Sequence, residues 1–484
     1  MGVKMAYKYY KDNRAYIKAL LKTGDAVLVN EEVDWDLEMG AIVRRTCEKK
    51  GPAAYFKKIK EYPGFECVGA PIATYRRLAI AFGLDPATPI PEISAEYLKR
   101  TSSGKVMRPK VLKNAPCQEV ILRGDDANIM NLPAPMVHDG DGGRYIGTWQ
   151  FVVAKDLDTP AINWGMYRQM LFDEKTMVGP VLPFSDMGKM LHNKYAPKNI
   201  PMPFAVVINP DPLSAIASCA PAQIPEDEFT SLLMGEPVEV VKCVTCDLYV
   251  PAHAEIIIEG VIVPHVTIDE APFGEYTGYR TSPREPRTVY RVKCITMRKN
   301  PIMAMSNMGV PTDEGQLLRS FSLGLEMDKM LRAQGIPITG VYMLPESTHH
   351  LTVVGVKPAY ANIATQIGQL CFGSKLGPWF HMLVVVDDKT DIYDKDELIH
   401  ALSTKCHPVN GIRVEKFGVG TPLNPFATPA ERRLGVAGKV LFDCTFPLDW
   451  SASDIPIKVS FNNVYPKEIQ EKVLSKWKKY GFKE

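Results

Sequence analysis

Glu270 and Glu275 bracket a Pro-Phe-Gly turn in the run Glu270-Ala271-Pro272-Phe273-Gly274-Glu275. Pro272 fixes its own φ and offers no N–H, while Gly274, lacking a Cβ, lets the backbone come close to a ligand. Two acids on one rigid turn take different pKa values when one is desolvated and the other is paired with a cation. That split suits proton transfer. The same six residues also suit a surface loop with two solvated glutamates, so the rest of the chain must decide.

A partner for those acids is available in INWGMYRQM, where Arg168 follows Asn163 by five residues. Arginine is a permanent, forked donor for a carboxylate, either a substrate's or one of the two glutamates. Taken alone, it also reads as a surface arginine. Asn163 offers an amide oxygen to a hard cation. Glu226 opens a predicted helix in PEDEFTSLLMGEPVEVVKC. An acid at that position is favoured by the helix dipole, and it could equally supply oxygen to a metal. Cys243 and Cys246 form a CxxC inside the strand-like run VVKCVTCDLYV. A zinc site needs a second ligand pair at suitable spacing and none is present, so ordinary half-buried cysteines are expected. No GxGxxG, Walker A, GxSxG or HExxH motif occurs. GQLCFGSK comes near the second but has Ser before Lys.

The elements that must position these residues divide the chain. Its 484 residues, 46% hydrophobic and 23% charged, suit a soluble protein of two or three domains. A net charge of +2 gives no reason to expect nucleic acid or an anionic membrane as partner. The charged N-terminus lacks the apolar core of a leader, and no apolar run approaches the roughly 20 residues of a membrane span. Ten scattered cysteines predict reduced thiols and a cytoplasmic protein.

Residues 1–115 read as mixed α and β, with Leu37, Ile42 and Val43 at helical spacing and a polar connector at TSSGKVMRPKVLKNAP. Residues 116–312 are rich in short strands with Pro and Gly turns, which predicts a barrel or sandwich-like domain with AEIIIEG as a central strand. Residues 313–335 read as a linking helix in which Leu317, Phe321 and Leu325 keep an i, i+4 rhythm and Gly335 is the stop. Strands and helices alternate over 336–445, predicting a small α/β domain. The tail, 446–484, carries an amphipathic helix opened by Pro466 that either docks on a neighbouring subunit or packs on its own chain.

INWGMYR, EDEFTSLLMGEPVEVVKC, DLYVPAHAEIIIEG and EAPFGEYTGY occur in this order, with DGDGGRYIGTW upstream and STKCHP downstream. Together they resemble the UbiD family of decarboxylases, which use prenylated flavin mononucleotide (FMN), over nearly the whole chain. The resemblance implies an α+β protein. A flavin-binding, split-barrel-like domain (116–312) would be joined by the helix to a C-terminal α/β oligomerisation domain, with residues 1–115 packed on the flavin domain. It implies non-oxidative, reversible decarboxylation of an aromatic, heteroaromatic or α,β-unsaturated acid. Glu275 would donate the proton that replaces CO2, and Arg168 and Glu270 would pair beside the flavin.

By the same resemblance the cofactor phosphate is held through a divalent metal, Mn or Mg, with K+ nearby. Asn163 and Glu226 match two metal ligands. The third is usually a histidine. Here Asp186 falls at that place by spacing, and His192 lies six residues later; Asp186 is favoured. Lys375, in FGSKLGPW, matches a phosphate-contacting lysine, Met166 is assigned to the cofactor and Tyr276 to the substrate pocket. Trp164, Met166 and Tyr167 suit a planar ring or the core equally. The implied partners are the acid, CO2, a flavin prenyltransferase that supplies the cofactor, and a second copy of the chain in a dimer or a multiple of dimers. Two other readings are an FMN-dependent oxidoreductase, which needs no Arg–Glu–Glu set, and a non-catalytic flavin-binding subunit, which loss of a triad member would favour.

Overall fold

The computed structural model describes residues 7–270, 272–281 and 283–483. Ala271 of the acidic turn and the first six residues of the N-terminal stretch lie outside them.

The central domain is an eight-stranded sheet whose pairings are all antiparallel. From one edge to the other run Ile162–Gly165, Gln150–Lys155, Met202–Ile208, Ile256–Glu270, Glu285–Met297, Thr176–Gly179 and Met170–Asp173, with Val120–Arg123 pairing to Glu285–Met297 off that path. The two edge strands are consecutive in the chain. Gly165 and Met170 are five residues apart, a reach of at most about 18 Å. A flat sheet of seven strands would hold its edges roughly 29 Å apart. The sheet therefore curls until its edges face each other across a seam, open rather than closed into a barrel, and residues 166–169 bridge that seam.

Both faces of the curled sheet are covered. Phe151, Val153, Ala205, Val207 and Ile257 pack into one core, while Val152, Ala154, Val206, Ile256 and Ile258 pack into a second. A strand buried on both faces reads as a continuous apolar run, and this is why AEIIIEG is the middle strand.

The N-terminal unit is a four-stranded sheet, Ala26–Val33, Ala53–Ile59, Glu66–Gly69 and Ile302–Met305. Its last strand comes from beyond the central sheet and pairs in parallel with Glu66–Gly69. The chain thus returns to the N-terminal unit before entering the helix Glu314–Ala333. That helix opens on a capping box between Asp313 and Gln316, and Gly335, at φ 74°, follows its end. Leu317, Phe321, Leu325 and Leu331 are buried. The C-terminal unit is a five-stranded mixed sheet, ordered Ile338–Met343, Leu351–Val356, Met382–Asp387, Val436–Cys444, Ile412–Val419, with helices Ile363–Phe372 and Lys395–Thr404. The tail helix Lys467–Lys476 follows Pro466 and buries no residue.

Two details differ from expectation. Part of the polar connector is a strand, Lys110–Leu112, paired with Glu239–Lys242. The run VVKCVTCDLYV is two strands, Glu239–Lys242 and Tyr249–Pro251, joined by a turn. Apolar content alone does not distinguish a strand from a hairpin whose turn carries cysteines in place of Gly or Asn. All ten cysteines are free thiols. Among the described residues no helix is long and apolar enough to cross a membrane.

Candidate active site

Arg168 sits in the seam. Its guanidinium meets Glu270 in a two-pronged contact, Nε to Oε1 at 2.6 Å and Nη2 to Oε2 at 2.9 Å. The remaining arm, Nη1, donates to Oε1 of Glu275. One planar cation therefore holds both carboxylates, a geometry that only arginine's fork provides. The seam delivers Arg168, the end of the longest strand delivers Glu270, and the turn beyond it delivers Glu275. Both acids are buried, at 2% and 3% exposure, so neither is a solvated loop residue. Glu270 also accepts from Tyr145 Oη at 3.2 Å and lies 3.5 Å from Arg287 Nε.

Burial pushes the Glu275 carboxyl above its ordinary range. Arg168 opposes that shift and the Glu270 charge reinforces it. Burial also works against the Arg168 charge, but Glu275 and Glu270 together more than compensate, so the guanidinium is held cationic. Phe273, between the two acids, supplies part of the dry wall. It packs against Tyr145 at 4.3 Å between ring centres, and Arg168 lies over its face at 5.8 Å.

Gly274 does approach a neighbour closely, and that neighbour is His138. A Cβ on Gly274 would stand 2.6 Å from the imidazole. The Gly274 amide donates to Asp141 Oδ1 at 3.0 Å, and Gly142 donates to the Pro272 carbonyl at 2.9 Å. His138 bridges Asp141 (Nδ1, 2.8 Å) and Asn307 (Nε2, 2.8 Å). The acidic turn is therefore clipped to the segment 138–145. The run DGDGGRYIGTW marks this segment in sequence, but nothing local tells which of its residues reach the turn.

Asn163, Glu226 and Asp186 gather at the seam's other end. Asn163, in the edge strand and 5% exposed, accepts from Tyr167 Oη at 3.3 Å. That hydroxyl also receives the Met187 amide at 3.4 Å, which ties Asn163 to the helix that Asp186 opens. Glu226 opens the helix Glu226–Met234 and accepts from the Trp164 amide at 3.0 Å. Burial pushes its carboxyl up to about 7, and among the described residues no cation lies within ion-pair reach of it. Asp186 is held below its ordinary value. Burial works against its charge, but Lys375 at 3.1 Å and Lys189 at 3.1 Å outweigh it. His192 points elsewhere: it is exposed, with Nε2 on the Val181 carbonyl at 2.9 Å.

Lys375 reaches this region from the C-terminal unit. It lines a cavity of about 580 Å³ with Ser374, Gln223, Pro221, Phe229 and Met330, and this lining includes none of Arg168, Glu270 or Glu275. Met166 is half-buried and receives the Cys219 thiol at 3.4 Å. Trp164 is core, stacked on Phe151 at 4.8 Å.

Tyr276 is buried where the central sheet meets the C-terminal unit. Its ring stacks on His349 at 4.7 Å, and Arg319 stands over Tyr276 at 5.5 Å and over Trp379 at 4.4 Å. Sequence reasoning missed Arg319, His349 and His381. Both ring nitrogens of His349 are buried there without a hydrogen-bond partner among the described residues. The His349-His350 pair is the one local hint. The donor set fits the implied metal: Asn163 and Glu226 present oxygens, and the half-buried Glu226 carboxyl has no ion pair among the described residues.

Three family models match the chain in order. They are the N-terminal, Rift-related and C-terminal domains of 3-octaprenyl-4-hydroxybenzoate carboxy-lyase, over residues 17–97, 110–311 and 316–444. A pyrrole-2-carboxylic acid decarboxylase of Pseudomonas aeruginosa is 29% identical over 491 residues, covering 97% of this chain and 98% of the relative. Ferulic acid decarboxylase 1 of Saccharomyces cerevisiae is 31% identical over 494 residues, covering 97% and 98%. The closed form of Sedimentibacter hydroxybenzoicus vanillic acid decarboxylase superposes with a TM-score of 0.88 at 27% identity, covering 98% of this chain and all of that one. An evolved dimeric form of a UbiD-class enzyme of Pelotomaculum thermopropionicum, in complex with prFMN, superposes with a TM-score of 0.79 at 25% identity, covering 93% and 99%.

Proposed function

The chain belongs to the UbiD family of carboxy-lyases, and from that premise we propose that it reversibly decarboxylates an aromatic, heteroaromatic or α,β-unsaturated acid with prenylated FMN. The observation that carries the reading is one guanidinium holding two buried carboxylates that differ in how they are held.

Loss of CO2 from an sp² carbon leaves a poor carbanion, and side chains offer no electron sink, so the bound flavin supplies it. The protein's share is orientation and a placed proton. Glu270 uses both oxygens to fix the Arg168 plane, so Arg168 presents its third arm in one direction. Glu275 sits on that arm. Burial keeps it protonated to a higher pH than a free glutamate, and Arg168 stabilises the carboxylate left once the proton has gone to the substrate carbon. Arg168 also stands where it can orient the departing carboxylate, and Tyr276, next to the acid, borders the substrate. Asn163, Glu226 and Asp186 would hold the divalent metal, Mn or Mg, with K+ nearby, and Lys375 and Met166 would contact the cofactor. Asp186 would first exchange its lysine partners for the metal. A flavin prenyltransferase would supply the cofactor. The apolar residues exposed along the tail, Leu474 and Phe482 among them, suit a dimer or multiples of dimers.

Protein co-expressed with a flavin prenyltransferase is the material for the test. Glu275→Gln should retain prenylated FMN, read by mass spectrometry of released small molecules, and lose CO2 release by roughly 10²–10⁴-fold. In the parent protein kcat should fall as pH rises through the raised Glu275 value, since the acid is lost on ionisation. A fully active Gln variant would end the assignment. Unmodified FMN in a well-supplied preparation would favour the oxidoreductase.

A further inference from the structure

The CxxC that looked incomplete in sequence acquires a third ligand in the fold. Strands Glu239–Lys242 and Tyr249–Pro251 form a hairpin, and the Cys243 amide closes its turn on the Leu248 carbonyl at 2.8 Å. Beneath the turn runs the central strand, carrying Glu259 without exposed surface. The two sulfurs and a Glu259 oxygen lie within 4.8 Å of one another. We propose that Cys243, Cys246 and Glu259 form a site for a thiophilic divalent cation of the zinc class, with water as the fourth ligand.

Four observations support it. Two thiols and one carboxylate are zinc-type ligands, unlike the oxygen donors gathered around Asn163. The carboxylate is already oriented: Oε1 accepts from the Val244 amide at 2.9 Å, and Oε2 accepts from the Thr245 amide and hydroxyl, both at 2.7 Å. Oε1, with one donor, keeps a lone pair for a metal, and ligating carboxylates are themselves held by such hydrogen bonds. Glu259 makes no ion pair among the described residues, and a buried charge without a counter-ion is costly. An entry path exists, because Cys246 is only half-buried while Cys243 and Glu259 are covered.

The exchange balances. Two S–H bonds break, two metal–sulfur bonds form and both protons leave to solvent, so the net charge of the site is unchanged and nothing is oxidised. The cation would pin the hairpin turn to the central strand.

Co²⁺ titration of the full-length chain, reduced and freed of metal by chelation, tests this. A sulfur-to-cobalt charge-transfer band should saturate at one equivalent and vanish on adding one equivalent of Zn²⁺. Oxygen-only sites give no such band. Cys246→Ser should abolish it, and Thr245→Val, which leaves every ligand in place, should weaken Co²⁺ affinity by roughly 10–100-fold. The proposal is overturned if the parent shows no band, if Cys243→Ser and Cys246→Ser both keep it, or if the two cysteines prove to be a disulfide that resists the reduction step.

Discussion

The two ends of the seam handle buried carboxylates in opposite ways. At the Arg168 end the chain supplies its own cation, and two acids share one guanidinium in fixed geometry. At the Asn163 end Glu226 is half-buried and has no ion pair among the described residues, while Lys189 and Lys375 pair with Asp186 instead. The first end is organised before any ligand arrives. The second has an electrostatic deficit that a bound cation would remove. On the proposed reading, the proton donor is held by the protein itself, whereas the end that would hold the cofactor's metal is left for that ion to complete.

Removing the internal cation should have the largest effect. Arg168→Met leaves Glu275 buried without its ion pair, and Glu270 with Tyr145 and, at 3.5 Å, Arg287. It should cost about 3–5 kcal/mol in denaturant unfolding as well as all CO2 release. Unchanged stability would mean that the clamp is not buried as described. Glu226→Gln should behave in the opposite way. It removes an uncompensated charge and keeps an amide oxygen for the Trp164 amide, so metal-free stability should hold or rise while metal and cofactor content falls. Metal analysis beside a thermal melt separates the two, and a loaded variant would remove Glu226 from the metal set.

Gly274→Ala probes how tightly the acidic turn is held. Its Cβ would meet the His138 ring, the turn would shift, and kcat should fall by up to roughly 10²-fold with stability less affected. Adding His138→Ala should restore part of that loss, which a ligand-facing glycine would not allow. Lys375→Met should matter least to the fold, by less than about 1 kcal/mol, because the Asp186 pair is half-exposed. Its consequence should be seen in cofactor retention.

Much of this was legible in the residues. The apolar run around Ile256–Ile258 identified the central strand because burial on both faces removes the usual alternation. The linking helix showed its period and its Gly335 stop. Arg168, Glu226, Glu270 and Glu275 were recognisable because their motifs occur along the chain in an order that resembles the UbiD family. Contacts between distant segments were not legible. That Gly274 answers to His138, that Tyr145 reaches Glu270, and that Glu259 lies under the CxxC turn depend on register and curl, which local patterns do not encode.

The amino-acid sequence by itself determined the alphabet of this protein: which strands are central, where the helix links the two halves, and which acids, amide and arginine are available for chemistry. Tertiary structure decided how those groups are charged. A carboxylate's proton affinity depends on the water it has lost and the cations it has gained, and both were set only when the sheet curled and brought its two edges to face across Arg168.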